Sequence, residues 1–249
     1  MITAMIFDLD GTLVQSEKLK AQSYAIAVQR MRGLPEPENR AIEAYRDIVG
    51  ASWQVASRHV MDSLNLESGL QPLVAEYGVT EAWEVLSSMR KEIYDDMVAD
   101  PKVLQDNRWP HTIGLLQVAR ETACRTALAT MAYREEAVHV LKALELEQYL
   151  DVVLTREDVA KAKPDPEIYL LAAHKLGVEP QDCLLLEDSP NGVRAGVAAG
   201  MNVIAVATPF TVAGLHSSEV LEHAWVVHEG DNLLDVVKER IANHNRSAH

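Results

Sequence analysis

The sequence predicts an α/β protein with a doubly wound, mainly parallel Rossmann-like sheet and an inserted helical domain. Short apolar runs rich in Val, Ile and Leu recur along the chain, and helix-like segments lie between them. Continuous rather than alternating runs are typical of parallel strands that are buried on both faces. One long stretch near the N-terminus lacks such runs and is read as helices alone, which predicts the insertion.

Six apolar runs are the predicted strands, at residues 3–7, 126–129, 152–154, 183–186, 203–206 and 224–227. The helix-like segments between them lie at roughly 112–122, 134–144, 166–176, 191–199 and 232–242. Gly177 and Gly200 follow two of these segments as helix stop signals. This alternation predicts an open sheet that binds its ligands at the carboxyl ends of the strands.

The helical insertion occupies residues 15–99, directly after the first strand, with helix-like segments at 17–31, 53–64 and 80–96. It is too long for an ordinary crossover, because a whole βαβ unit takes only about 30 residues. We therefore expect residues 1–14 and 100–249 to form the α/β core. Residues 15–99 are expected to form a separate helical domain over the strand ends.

The charge and composition disfavour several classes of function. A net charge of −14 weighs against a nucleic-acid or membrane partner, because both are bound mainly through Lys and Arg. No apolar run approaches the ~20 residues that cross a bilayer. Cys124 and Cys183 show no pairing pattern, which suits a reducing compartment. We expect a cytoplasmic monomer. The negative charge by itself is also what a merely solvated surface would show.

Polar residues follow the first four predicted strands, at the edge where ligands are expected. In chain order they are Asp8, Asp10, Thr130, Lys163, Glu187 and Asp188. Four carboxylates at one edge would repel each other unless a cation lay among them. Oxygen ligands without His or Cys favour Mg²⁺ over Zn²⁺. We therefore expect a Mg²⁺ cofactor, with the four carboxylates Asp8, Asp10, Glu187 and Asp188 as its ligands.

Lys163 and Gly11 indicate what the metal site binds. A lysine at an anionic metal site is best explained by an anionic ligand, and phosphate is the commonest. Gly11 lets the backbone approach that phosphate, and the N–H groups that follow, beginning at Thr12, can point at its oxygens. Each element alone could equally be a turn or a cap, since Asp and Gly are favoured there. Their occurrence at successive strand ends favours a phosphate site.

Four segments resemble the motifs of the haloacid dehalogenase-like superfamily, namely FDLDGTLV, LAT, AKPDP and LLLEDSPNGVRAGVAAG. The helical insertion falls where the phosphatase and β-phosphoglucomutase branch of that family carries a helical cap. The resemblance implies that Asp188 is a metal ligand and that Glu187 is either a ligand or a partner beside it. Gln15 departs from the family, since many relatives have Asp there.

The resemblance also implies the catalytic roles. Asp8 would be the nucleophile that takes the phosphoryl group. Asp10 would be the general acid toward the leaving oxygen and then the base for the acceptor, and its backbone carbonyl would bind Mg²⁺. Thr130 and Lys163 would hold the oxygens of the transferring phosphoryl group. A carboxylate attacks a dianion poorly, so Mg²⁺ and Lys163 are needed to lower the repulsion.

Several positions favour a hydrolase over a sugar mutase. Trp53 stands in the cap loop where mutases of this branch carry Arg, and Ala132 and Tyr133 stand where they carry Ser and Lys. A mutase must grip both ends of a bisphosphorylated intermediate, so these losses favour hydrolysis. Arg134 could partly substitute for the lost cation, and we expect it to bind substrate together with Trp53. Trp53 could equally be packed within the cap.

We therefore expect a Mg²⁺-dependent phosphatase that acts on a small phosphorylated metabolite, a sugar phosphate, through a phosphoryl group on Asp8. A sugar phosphomutase is the alternative. Two further alternatives are phosphonate or dehalogenase chemistry and a non-catalytic phosphate-binding module. The presence of Asp10 disfavours a dehalogenase, and the presence of both Asp8 and Asp10 disfavours a non-catalytic module.

Overall fold

The computed structural model describes residues 1–122, 124–228 and 230–247. The chain divides into two compact units. One consists of Met1–Gln15 and Leu104–His249, and the other is Ser16–Val103. Within the described residues, no helix is both long and apolar enough to cross a membrane.

The described residues form twelve α-helices and six β-strands. The helices are α1 (Ser16–Arg32), α2 (Asn39–Arg46), α3 (Trp53–Ser63), α4 (Glu67–Leu70), α5 (Ala82–Val98), α6 (Pro101–Asp106), α7 (Pro110–Glu121), α8 (Arg134–Ala143), α9 (Glu167–Leu176), α10 (Pro190–Ala198), α11 (Val212–Ser217) and α12 (Leu233–Ser247). The strands are β1 (Ala4–Phe7), β2 (Arg125–Ala129), β3 (Val152–Leu154), β4 (Cys183–Glu187), β5 (Asn202–Val206) and β6 (Val226–Val227).

The six strands form one sheet in the order β3-β2-β1-β4-β5-β6. Every neighbouring pair is parallel, with Phe7 opposite Leu128 on one side and opposite Leu186 on the other. This is the order of a doubly wound Rossmann-type sheet, and it confirms the predicted fold class. The direction of winding reverses between β1 and β4. Open sheets bind their ligands outside the carboxyl ends of the strands at such a point.

The core of the α/β unit lies on both faces of the sheet. Helices α9 and α10 pack on one face and contact each other. Alternate strand residues pack with them, among them Ala4, Ile6, Ala127, Ala129, Cys183, Leu185, Val203 and Ala205. The intervening Met5, Phe7 and Leu128 are also buried, and α7 and α12 pack against β2 and β5. Because side chains alternate across a strand, these helices cover the opposite face.

Local signals in the sequence explain where α9 and α10 lie. Gly177 follows α9 with φ of 66°, a left-handed conformation that other residues adopt at a cost. Ser189 caps α10 by accepting a hydrogen bond of 3.1 Å from the Gly192 N–H. Pro190 follows at the first helical position, where its missing N–H costs nothing. The loop between β4 and α10 is therefore short and well defined.

The unit Ser16–Val103 is helical, and its helices pack on one another. Helix α5 contacts α1, α3 and α4, while α2 contacts α1 and α3. Inside it the Tyr24 hydroxyl and the Ser57 Oγ lie 2.8 Å apart in a buried hydrogen bond. The carboxylate of Glu84 accepts from the backbone N–H groups of Thr80 and Glu81 and so caps the start of α5.

The observed elements differ from the predicted ones mainly at the last strand and in the short helices. Residues 224 and 225 were predicted to be strand but lie in the 3-10 helix His223–Trp225, where the Trp225 N–H donates to the Glu222 carbonyl at 2.9 Å. Only Val226–Val227 pair with β5. Helices α2, α4, α6 and α11 were not predicted, because four to eight residues carry little periodicity.

Candidate active site

Asp8 lies directly after β1, at the point where the winding of the sheet reverses. Its backbone N–H donates to the carbonyl of Leu186 in β4 at 3.0 Å. The residue is 5% exposed, so its carboxylate is largely removed from water. A buried carboxylate is costly unless it is paired, and the partner it needs comes from another strand end.

That partner is Lys163, which belongs to the loop after β3. Its ammonium lies 2.7 Å from Oδ1 of Asp8 and 2.8 Å from Oε1 of Glu187. Its third hydrogen bond, at 3.2 Å, goes to the carbonyl of Ala129, the last residue of β2. Lys163 thus joins the ends of three strands, and all three donors of its ammonium are used.

The pKa values of Asp8 and Lys163 are both raised, but for different reasons. Burial raises the pKa of Asp8 from 3.8 to about 7, and although the Lys163 ammonium opposes the rise, Glu187 and Asp10 add to it. Burial alone would lower the pKa of Lys163, but the attraction of Asp8 and Glu187 holds that pKa above its ordinary value. The lysine therefore stays charged at neutral pH. In the metal-free protein, Asp8 titrates near neutral pH.

Both carboxylate oxygens of Glu187 are occupied by hydrogen bonds. Oε1 accepts from Lys163 at 2.8 Å and from the Tyr169 hydroxyl at 2.9 Å. Oε2 accepts from the Ser189 backbone N–H at 2.7 Å and from the Ser189 hydroxyl at 3.1 Å. Four donors hold this carboxylate in one orientation, and the residue is only 1% exposed.

These four bonds favour a role for Glu187 beside a metal ligand, and the prediction that it is itself a ligand stays a prediction. A ligand needs an oxygen that can turn toward the ion, and the four donors leave neither oxygen free to do so. Of the two roles that the resemblance allowed, the one beside a ligand fits. Among the described residues, no group of three or more His, Cys, Asp or Glu side chains forms a ready metal site.

The four carboxylates at this edge together fit a hard cation by their chemistry. Asp8, Glu187 and Asp188 are 5%, 1% and 1% exposed, and Asp10 is half-buried beside them in the sequence. Several carboxylates buried close together in the sequence are costly, and a cation among them would lower that cost. Oxygen-only donors of this kind suit Mg²⁺. Asp8, Asp10 and Asp188 are the residues that would hold it.

The loop after Asp8 folds back on itself through its own backbone. The Gly11 N–H donates to the Val14 carbonyl at 2.8 Å, and the Thr12 N–H donates to the Leu9 carbonyl at 3.3 Å. Gly11 has φ of 82°, which a side chain would strain, so the turn requires glycine. Both amides close the turn, so the Thr12 N–H is already bonded within the loop, whereas the prediction had it point at the phosphate. The Thr12 Oγ1 is buried and has no hydrogen-bond partner among the described residues.

Thr130 lies directly after β2 and is 1% exposed. Its backbone N–H donates to the Leu154 carbonyl at 3.0 Å, which extends the pairing with β3. Its hydroxyl accepts from the Ala132 N–H at 3.0 Å. A hydroxyl that accepts can still donate its own hydrogen, so Thr130 can serve an anionic oxygen at this edge.

Arg134 and Tyr133 lie at the start of α8. The Arg134 guanidinium pairs with Asp158 at 2.5 Å, and the Arg134 backbone N–H is bonded to the carboxylate of Glu157. Its charge is therefore compensated within its own surroundings, which weakens the prediction that it binds substrate. Tyr133 is 47% exposed.

Trp53 belongs to the helical unit and is the first residue of α3. Its ring centroid lies 5.5 Å from that of Trp83, at an interplanar angle of 41°. Trp53 is 42% exposed, whereas Trp83 is buried. The guanidinium of Arg58 lies 4.9 Å from the Trp83 ring centroid and pairs with Glu81. Trp53 thus packs on one neighbour while part of its indole stays open to solvent.

Three residues around Glu187 escaped the sequence analysis. Tyr169 and Ser189 supply donors to its carboxylate, and Gly192 leaves it room. A Cβ at Gly192 would lie 1.6 Å from Oε1 of Glu187. One signal was available for Ser189, since a Ser-Pro pair before a helix predicts a cap. Tyr169 sits within an apolar helix face, where only the need of a buried hydroxyl for a partner indicates a role.

Comparisons with known proteins find matches over most of the chain. A family model described as haloacid dehalogenase-like hydrolase matches residues 2–200. The chain is 29% identical over 238 residues to the phosphorylated carbohydrates phosphatase of Thermotoga maritima, covering 95% of this chain and 98% of that protein. It is 29% identical over 221 residues to hexitol phosphatase A of Escherichia coli, covering 88% and 89% of the two chains.

Solved structures share the fold. The crystal structure of β-phosphoglucomutase from Clostridium difficile matches with a TM-score of 0.70 at 20% identity, over 100% of this chain and 99% of that one. At this identity the likeness concerns the fold and not the reaction.

Proposed function

The chain belongs to the haloacid dehalogenase-like hydrolases and is a phosphatase, and on this premise we propose that it hydrolyses small phosphorylated carbohydrates through a phosphoryl group carried on Asp8. The observation that carries the proposal is the buried ammonium of Lys163, which contacts Asp8 and Glu187 together. A cation held at the nucleophile serves a reaction in which an anionic group must approach an anionic carboxylate.

The first step would transfer the phosphoryl group to Asp8. An oxygen of the Asp8 carboxylate forms a bond to phosphorus while the bond from phosphorus to the ester oxygen breaks. That oxygen takes a proton from Asp10, which gives a neutral alcohol. Thr130 donates to the phosphoryl oxygens during the transfer, and the Lys163 ammonium shifts its Asp8 hydrogen bond onto them, which lowers the repulsion between the two anions.

The second step would return the enzyme to its starting state. Asp10, now ionised, takes a proton from a water molecule, whose oxygen bonds to phosphorus. The bond between phosphorus and the Asp8 oxygen breaks, so inorganic phosphate is released and the Asp8 carboxylate is restored. A bound Mg²⁺ would supply additional positive charge beside the phosphoryl oxygens. Asp8, Asp10 and Asp188 would hold it.

The substrate class is supported by the relatives. The two proteins compared above are named as phosphatases of phosphorylated carbohydrates and hexitols. We propose a sugar or sugar-alcohol phosphate for this chain as well. Trp53 in the helical unit would contact the carbon skeleton, since an indole can stack on a ring but cannot neutralise a second phosphate. The pairing of Arg134 with Asp158 compensates the cation nearest to the lost Ser and Lys positions, which favours hydrolysis over mutase chemistry.

Release of inorganic phosphate from a panel of hexose and hexitol phosphates tests this function. We expect release with Mg²⁺, none with EDTA, and only modest preference among esters, because a hydrophobic contact separates substrates by about 1–3 kcal/mol. β-Glucose 1-phosphate with a bisphosphate primer separates hydrolase from mutase. Efficient isomerisation to glucose 6-phosphate with little free phosphate would overturn the hydrolase assignment.

A further inference from the structure

Tyr169 is a fully buried residue of α9 that contacts both members of the Lys163–Glu187 ion pair. Its hydroxyl donates to Oε1 of Glu187 at 2.9 Å. The ammonium of Lys163 lies 4.8 Å from the centroid of its ring, within the range of a cation–π interaction. One side chain therefore binds the carboxylate through its hydroxyl and faces the ammonium with its ring.

Oε1 of Glu187 is the oxygen on which two donors compete. It receives the Tyr169 hydroxyl at 2.9 Å and the Lys163 ammonium at 2.8 Å. Oε2 is held separately by two bonds from Ser189. Gly192 stands so close that a Cβ there would lie 1.6 Å from Oε1. The carboxylate cannot turn away from Tyr169 without losing the bonds from Ser189 or meeting the backbone of α10.

Lys163 also bonds Asp8, so the strength of its bond to Glu187 affects the nucleophile. A carboxylate oxygen that accepts from a hydroxyl holds an ammonium less strongly, because the hydroxyl dipole offsets part of its charge. Without the hydroxyl, Lys163 would be drawn more strongly toward Oε1 of Glu187, which it bonds at 2.8 Å. The ammonium would then stand farther from Asp8, where the phosphoryl oxygens arrive.

We propose that Tyr169 is a positioning residue of the phosphoryl-transfer site, which acts through Glu187 to hold Lys163 at Asp8. The inference rests on the proposed phosphatase function. Because the effect concerns the transferring phosphoryl group, it lowers kcat and weakens phosphate binding, and KM rises by no more than the loss of phosphate affinity.

Tyr169→Phe removes the hydroxyl and keeps the ring, and Tyr24→Phe is the matched control. Tyr24 is also buried, and its hydroxyl bonds Ser57 within the helical unit. With p-nitrophenyl phosphate we expect kcat of Tyr169→Phe to fall about tenfold, while KM rises only several-fold. Tyr24→Phe should lower the melting temperature about as much as Tyr169→Phe does, and it should keep kcat within about twofold of wild type. Equal kcat values for the two variants would overturn the inference.

A second background tests whether the effect passes through Glu187. In Glu187→Gln, the further change Tyr169→Phe should alter kcat by less than about twofold, whereas independent effects would multiply. A full tenfold loss in that background would contradict the inference. If Tyr169→Phe does not fold, 4-fluorophenylalanine at position 169 fills the space of the hydroxyl without donating, and the same losses are expected.

Calorimetric titration with inorganic phosphate in the presence of Mg²⁺ separates failure of this inference from failure of the proposed function. Tyr169→Phe should bind phosphate several-fold more weakly than wild type and Tyr24→Phe. If the wild type releases no phosphate from any ester, the proposed function fails while this comparison still decides the role of Tyr169. Equal phosphate affinity in all three proteins would overturn that role.

Discussion

The Nζ of Lys163 lies 2.7 Å from Oδ1 of Asp8, although 155 residues separate them in the chain. The contact joins the end of β1 to the loop after β3, across the intervening β2. Both side chains are almost fully buried, so the pair is shielded from water and salt. An ammonium at this position gives a carboxylate nucleophile the positive charge that it needs to approach a phosphate.

Metal removal should stop turnover, because Lys163 alone does not compensate for the buried carboxylates. We expect EDTA to abolish phosphate release and Mg²⁺ to restore it. Asp188→Asn should weaken the apparent Mg²⁺ affinity at least tenfold while the chain stays folded. The control is Asp95→Asn, an exposed aspartate paired with Lys91 in the helical unit, which should leave the Mg²⁺ affinity unchanged. Full activity in EDTA would refute the metal assignment.

Gly192→Ala should damage the site from outside it. The added Cβ would lie 1.6 Å from Oε1 of Glu187, so that carboxylate must move and release Lys163. We expect kcat to fall at least tenfold and stability to fall by about 1–3 kcal/mol from overpacking. Gly114→Ala in α7 is the control, since nothing lies within 4 Å of its Cβ position. That change should stabilise the helix by about 0.5–1 kcal/mol and leave activity intact. Equal kcat for the two variants would show that Glu187 tolerates displacement.

The metal-free protein should lose stability as the pH rises from about 4 to about 7. The pKa of Asp8 is raised from 3.8 to about 7 in the folded state, chiefly by burial. Between these values the unfolded chain releases the proton and the folded chain retains it, so ionisation favours unfolding. Asp8→Asn removes this contribution, which amounts to a few kcal/mol at most because one pKa unit is about 1.4 kcal/mol.

Urea denaturation in EDTA at pH 5 and pH 8 measures this effect. The stability of Asp8→Asn relative to wild type should be greater at pH 8 than at pH 5. Lys163 stays charged throughout this window because its pKa is raised, so it does not contribute to the difference. A relative stability that is equal at both pH values would show that Asp8 ionises freely in the fold.

The strand ends could be predicted from the sequence because buried parallel strands are short and apolar, and their last residues are easy to locate. Asp8, Thr130 and Asp188 were placed in this way. The roles of Glu187 and Gly11 were harder, because both depend on which hydrogen bonds the backbone completes. Oε2 of Glu187 is taken by Ser189, and the Gly11 N–H is taken by Val14.

The contact between Tyr169 and Glu187 could not be predicted from the sequence. It depends on the rotation of α9 against the sheet, and one helix face carries several buried residues that could meet β4. The apolar pattern fixes that Tyr169 points inward but not which partner its hydroxyl finds. The length of the last strand was predicted wrongly for a similar reason. Residues 224–227 are apolar throughout, yet only Val226–Val227 pair with a neighbouring strand.

The most direct test of the account is the rate of phosphate release by Asp8→Asn on the best substrate of the panel, with saturating Mg²⁺. An amide of nearly the same shape cannot form the phosphoenzyme, so the rate should fall by at least about a thousandfold. Circular dichroism should show that the fold is retained. A folded Asp8→Asn protein that keeps more than about a tenth of the wild-type rate would contradict a phosphoryl group carried on Asp8.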